Sequence, residues 1–221
     1  MAKREDRGDP GSAPDAAKNP TPSRENPDSA TAPGRRPATS RQRIFVAAMG
    51  LFAEHGYAYT SVEDIASAAG ISRRTLFRYY PNKAAIPWGE FADQIAVMRK
   101  HLEAIGDSVP LREAIGEALV FFNTFPDSES GVHRRRMRLL LTEPELQAHS
   151  MLMYSDWRGA IAEFVARRRG EELGDLIPSA VALTAQGIAI SAYTAWLDLP
   201  SERGVPAELH RYLREASSIL A

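Results

Sequence analysis

The sequence predicts an all-α protein of about nine helices, and three observations carry that reading. Beyond residue 40, apolar residues recur at helical spacing over most of the chain. No stretch alternates polar and apolar with β-branched enrichment. Pro110, Pro144, Pro178 and Pro206 each stand at or just before a helical pattern, where a missing N–H costs least. No internal repeat is visible.

The first 40 residues hold 7 of the 15 prolines, with no aromatic residue and no Val, Ile or Leu. Such a segment cannot bury enough apolar surface to offset its chain entropy, so residues 1–40 are expected to form a disordered arm. Arg35, Arg36, Arg41 and Arg43 add positive charge where the arm ends. A basic arm of this kind either tracks a phosphate backbone or remains a solvated tail.

The formal charge of −1 hides an asymmetry. Residues 1–34 carry 5 Lys or Arg and 6 Asp or Glu, residues 35–83 carry 8 and 3, and residues 84–221 carry 14 and 19, giving −1, +5 and −5. A basic head, residues 41–83, is thus expected ahead of an acidic body, residues 84–221, as suits a protein that binds a polyanion. There is no cysteine, so disulfides and thiolate chemistry are excluded. No apolar run of bilayer length stands out, and Lys3, Arg4 and Arg7 are not followed by the apolar region of a signal peptide. A cytoplasmic protein without membrane contact is expected.

Within the head, Ile44, Ala48, Leu51 and Phe52 make one stripe that ends at Gly56. Thr60 and Ser61 each lie three residues before an acid, so either can cap a short helix whose inward face is Val62, Ile65 and Ala66. Ser72 can cap a third helix reaching about Tyr79 before Pro81 and Asn82 break the chain. Longer helices are expected over 83–105, 111–124, 133–142, 145–169, 179–197 and 207–220.

Two short helices joined by "AAGIS" make a helix-turn-helix, with Ala66, Ala69 and Gly70 small enough for close packing and Ile71, Leu76 and Tyr80 as anchors. The opposite face carries Ser72, Arg73, Arg74, Thr75, Phe77, Arg78 and Tyr79, a mixture suited to the DNA major groove. Arginine can fork onto guanine O6 and N7, Thr75 or Phe77 can touch a thymine methyl, and Tyr79 can donate to a phosphate. Thr60 and Lys83, each at a helix start, flank this helix as expected phosphate contacts.

The run Arg43 to Phe91, "RIFVAAMGLFAEHGYAYTSVEDIASAAGISRRTLFRYYPNKAAIPWGEF", resembles the N-terminal domain of TetR-family transcriptional repressors in Phe52, Gly56, Thr60, Ile65, Ala66, Gly70, Thr75, Tyr80 and Lys83. Phe77 departs from the pattern: many members carry there a tyrosine that bonds a phosphate, so a base methyl is its expected contact. The resemblance implies a helical C-terminal domain that binds a ligand and dimerises. The segment "HRRRMRLLLTEPELQAHSMLMYSDWRGAIAEFVARR", with "NKAAIPWGEF" and "FFNTFP", further resembles the branch that regulates mycofactocin gene clusters. That resemblance implies a repressor released by long-chain acyl-coenzyme A.

Such a ligand needs an apolar tunnel and cations at its mouth. Leu102, Phe122, Phe125, Met153, Tyr154 and Trp157 are the expected tunnel residues, although most large apolar groups in a helical body are plain core. Of Arg134, Arg135, Arg136 and Arg138, only Arg134 and Arg138 share a helix face. Those two either meet the headgroup or pair with acids such as Glu143 and Glu145. Small residues from Ala180 to Ala192, with Ile188, Trp196, Leu209, Leu213 and Leu220, predict a two-fold dimer through the last two helices, and hence a palindromic operator. His55, His101, His133, His149 and His210 are scattered and belong to no catalytic or metal motif, so neither an enzyme nor a metal or other cofactor is expected.

Overall fold

The computed structural model describes residues 37–200 and 205–220, with side chains from residue 41. The expectation of a disordered arm over 1–40 falls outside these residues over 1–36 and is corrected over 37–40, where the first helix already begins at Pro37. The described residues contain nine α-helices and no strand: α1 Pro37–His55, α2 Val62–Ala68, α3 Arg73–Tyr79, α4 Phe91–Ala104, α5 Leu111–Phe122, α6 Ser130–Thr142, α7 Pro144–Arg169, α8 Leu176–Asp198 and α9 Pro206–Ser217. The all-α prediction holds.

Local chemistry sets the ends. Ser61 and Asp64 form a reciprocal capping box on α2, the Ser61 N–H donating to Asp64 Oδ2 at 2.9 Å and the Asp64 N–H to Ser61 Oγ at 3.1 Å. Ser72 Oγ accepts the Thr75 N–H at 3.1 Å and starts α3. Gly170 closes α7 at φ 67°, where a side chain would be strained.

One expected helix is two. The segment 83–105 divides into a 3₁₀ turn, Lys83–Trp88, and α4. Pro87 cannot donate to a helical ladder and its ring crowds the preceding turn, while Gly89 at φ 57° and ψ −120° takes a conformation closed to other residues. This break puts a joint between two separate helical elements directly behind the helix-turn-helix.

A continuous core runs through head and body, from Ile44, Ile65 and Leu76 through Ile86 and Trp88 to Trp157, Phe164, Trp196 and Leu213. α7 lies at the centre of the body against α4, α5, α6 and α8, and α9 packs on α5 and α8. α8 corrects a second expectation, for by length and composition it could cross a membrane. No charged residue stands between Leu176 and Leu197, and the interspersed Ser, Thr and Gly conceal how apolar the run is. Ala182, Ala185, Ile188, Tyr193 and Trp196 of this helix are buried in the protein's own core.

Candidate nucleic-acid interface and effector cavity

The turn of the helix-turn-helix is held from outside it. Gly70 has φ 64°, and the Ile71 N–H returns to the Ala66 carbonyl at 3.0 Å. Arg43 of α1 donates to the Ala69 carbonyl at 2.6 Å, and Arg41 donates to the Tyr79 carbonyl at 3.2 Å and lies over the Tyr80 ring at 5.2 Å. Two cations of the basic head therefore satisfy helix-end carbonyls. Leu76 and Tyr80 are buried and Ile71 is partly so, which turns the other face of α3 outward.

On that face Arg73, Arg74, Phe77 and Arg78 are exposed and Thr75 is half-exposed. Arg73 pairs with Glu63 at 2.7 Å and sits 5.3 Å from the Phe77 ring centre, whereas Arg78 lies over Tyr79 and donates to its hydroxyl at 3.3 Å. Arg74 makes no hydrogen bond or ion pair among the described residues. Ser72 Oγ and Thr75 Oγ1 lie 2.9 Å apart, so both hydroxyls serve the cap.

The two flanking residues point inward. Thr60 is buried, its hydroxyl donating to the Gly56 carbonyl at 2.8 Å. Lys83 Nζ donates to the carbonyls of Tyr57 and Thr60 at 3.0 and 3.3 Å, 4.1 Å from the Tyr57 ring centre. Each satisfies loop carbonyls between α1 and α2 that have no helical partner. The Tyr57 hydroxyl continues this chain, donating to Glu145 Oε1 at the start of α7 at 2.9 Å; burial, then that carboxylate, raises the phenol above its ordinary range. Lys83, Tyr57 and Glu145 thus link the joint, the head and the body.

Behind the joint lies a cavity of about 110 Å³. One wall is Pro87, Trp88, Phe91 and Gln94, and the others come from the end of α5, the following loop, α6, α7 and α8. Its aromatic rings pack edge to face, Trp88 on Phe91 at 4.8 Å and on Tyr154 at 5.2 Å. Four expected ligand residues line it: Phe122, Phe125, Tyr154 and Trp157. The other four do not. Leu102 is buried core and Met153 packs beside that core. Arg134 donates to the carbonyls of Trp196, Leu197 and Leu199 at 2.8, 3.1 and 2.7 Å, and Arg138 to Leu197 at 2.9 Å. Both cap the end of α8, where unpaired carbonyls and the helix dipole attract cations. Neither makes an ion pair with Glu143 or Glu145.

The polar lining escaped sequence reasoning. The Tyr193 hydroxyl donates to Asn123 Oδ1 at 2.7 Å and lies 2.8 Å from His133 Nε2, while Asn123 Nδ2 donates to the Leu119 carbonyl at 2.7 Å. Burial, with repulsion from Arg136 as the lesser cause, pulls His133 down to about 2 and keeps it neutral. Burial also pushes Tyr154 up to about 12. Arg136 itself lines the cavity, with its Nε enclosed and unpartnered. A usable signal existed: His133, Arg136 and Leu140 stand at i, i+3 and i+7, the inward register of α6.

A basic recognition helix presented by a helix-turn-helix, joined through a glycine break to a helical body with an aromatic cavity, is the architecture of a DNA-binding regulator. The comparisons agree. Residues 44–86 match the model of bacterial regulatory proteins of the tetR family, and residues 109–221 match the MftR C-terminal domain. The chain is 52% identical over 164 residues to a Mycobacterium tuberculosis protein described as the mycofactocin biosynthesis transcriptional regulator MftR, covering 74% of this chain and 83% of that one. In fold it resembles Thermus thermophilus FadR, a TetR-family repressor solved with lauroyl-CoA, at 24% identity and TM-score 0.52 over 80% of this chain and 92% of that one. It also resembles NalD of Pseudomonas aeruginosa, the secondary repressor of a multidrug efflux pump, at 22% identity and TM-score 0.57 over 82% and 96%. The chain belongs to the TetR family of transcriptional regulators and carries its MftR-type C-terminal domain. That family consists of regulators and not enzymes.

Proposed function

We propose that the protein is a repressor that binds a palindromic operator as a dimer and is released by a small hydrophobic ligand, with a long-chain acyl-CoA as the candidate. One observation carries this reading: the segment that directly follows the helix-turn-helix, Pro87 to Gln94, is itself a wall of the cavity. Pockets that hold drug-sized ligands measure about 300–1,000 Å³, so a long acyl chain must widen a cavity of about 110 Å³. The wall that gives is tied through Lys83 and Tyr57 to the head. Widening therefore tilts α3 away from the spacing the operator requires, and the ligand releases DNA by its preference for the wide state.

On the operator, Arg74 and Arg78 read base edges, with Arg73, Thr75 and Phe77 beside them and Ser72 and Tyr79 toward the backbone. Dimerisation uses α8 and α9. Leu176, Ala180, Leu183, Gly187, Ser191 and Thr194 form an exposed, small and apolar stripe along α8, with Leu176 78% and Leu183 59% exposed. A second copy packed on that stripe sets two recognition helices about 34 Å apart, one turn of DNA. Contact with chromosomal DNA places the protein in the cytoplasm. The acyl-CoA seen in Thermus thermophilus FadR supports the candidate effector, and the efflux role of NalD supports a second reading, a regulator of efflux or lipid genes that senses another hydrophobic molecule.

Titrating the protein against DNA upstream of its own gene cluster at fixed salt, with and without oleoyl-CoA, decides between these readings. Nanomolar binding abolished by the thioester is expected. Tight binding indifferent to oleoyl-CoA supports the second reading, and no binding to any duplex removes the repressor.

A further inference from the structure

We infer that the cavity binds the carboxylate of a hydrophobic acid, through Arg136; this rests on the cavity being the effector site and favours, of the two effector readings above, the one that is not an acyl-CoA. Three of the residues lining it, Trp88, Trp157 and Arg136, each leave a buried N–H donor without a partner. Unpartnered buried donors are rare because each forfeits its hydrogen bonds to water on folding. A ligand that reaches them from the cavity must offer acceptors. Asn123, His133 and Tyr193 do not supply them, since their bonds already close among themselves and onto the Leu119 carbonyl.

Charge narrows the ligand further. Arg136 forms no ion pair among the described residues, and Glu129, the one carboxylate that lines the cavity, is exposed and beyond ion-pair distance. A guanidinium stays protonated even when buried, so this cation has no ion-pair partner within the fold and only the more distant attraction of Glu129. A carboxylate answers all of it: acceptor only, negative, and planar enough to take a forked guanidinium. The rest of the lining, Phe91, Phe122, Met137 and Leu140 among it, suits a hydrocarbon tail. The volume of about 110 Å³ is below that of an apolar cavity that holds benzene, about 150 Å³, so a short-chain acid needs only a small opening of the walls and far less than a long acyl chain does. In an acyl-CoA the corresponding carbon is a neutral thioester, which leaves Arg136 without an ion-pair partner.

Hexanoate and hexanamide, alike in size and different in charge, test the inference when each is titrated into the full-length protein by calorimetry, with Trp88 and Trp157 fluorescence as a second readout. Hexanoate is expected to bind at least about tenfold tighter, the scale of a hydrogen bond to a charged group. In Arg136→Met the two affinities should converge, and Arg136→Lys should keep part of the preference because charge remains while the fork is lost. Equal binding, no binding of either ligand, or a preference that survives Arg136→Met overturns the assignment. Should Arg136→Met fail to fold, the wild-type ratio and Arg136→Lys still decide. Failure here is separable from failure of the repressor reading. Operator release by oleoyl-CoA with no preference for hexanoate removes only this site, whereas preference without any duplex binding removes only the repressor.

Discussion

Arginines in this chain look alike in the sequence and take different tasks in the fold. Arg41, Arg43, Arg134 and Arg138 spend their donors on helix-end carbonyls, whereas Arg74 and Arg78 stay on the outer face of α3. Replacing Arg74 or Arg78 with alanine should cost about 1–3 kcal/mol of operator affinity each if they fork onto bases, and flatten the salt dependence where they meet phosphate. Fluorescence anisotropy at fixed salt, beside an unchanged helical circular dichroism spectrum, checks this. His133 makes a second prediction. Its folded value of about 2 lies below its ordinary 6.5, so the unfolded chain binds the extra proton, and the stability His133 contributes is full above pH 6.5 and lost as pH falls toward 2. Stability should drop by up to about 1.4 kcal/mol per pH unit inside that range, below pH 6.5, and His133→Gln should flatten the slope in urea unfolding between pH 6.5 and 5.

At the scale of elements, the joint between head and body is the informative piece. Periodicity alone runs 83–105 together, because Ala84, Ile86, Phe91, Ile95, Met98 and Leu102 keep a helical apolar rhythm across the break. Pro87 and Gly89 override it through sterics, which a hydrophobic count does not register. Gly89→Ala should destabilise the protein by about 1–3 kcal/mol, a cost of backbone strain rather than crowding, since the added Cβ would meet Phe45 only at 3.8 Å. The same variant should alter the concentration of ligand that halves operator binding, because it changes the energy of the bend the ligand must move. Thermal unfolding and a ligand titration on bound operator measure the two effects separately. The caps, by contrast, were legible, that of α3 as Ser72 and that of α2 as a choice between Thr60 and Ser61 that the fold settles on Ser61, because a capping side chain bonds the backbone two or three residues away and needs nothing distant.

For the whole molecule, the outward stripe of α8 is where a second copy should dock. Leu183→Glu puts a charge in the middle of that stripe and should yield a folded monomer with operator affinity reduced at least about tenfold, because one head cannot span two half-sites. Sedimentation velocity reads the first effect and operator binding the second; a dimer that persists would place the interface elsewhere. The all-helical class, the helix-turn-helix and its outward basic face were determined by the sequence itself, since periodicity, caps and turn glycines act between residues a few positions apart. The cavity and the orientations of Lys83, Thr60, Arg134 and Arg136 were decided only by tertiary structure. Arg134 and Arg136 stand two positions apart on α6 and differ in fate because α8 ends beside the first, while the aromatic cavity opens beside the second. Which carbonyl, ring or void a long cation meets depends on elements some sixty residues away in the chain, as the Arg134 bonds to Trp196 and Leu199 show, and local sequence holds no record of that meeting.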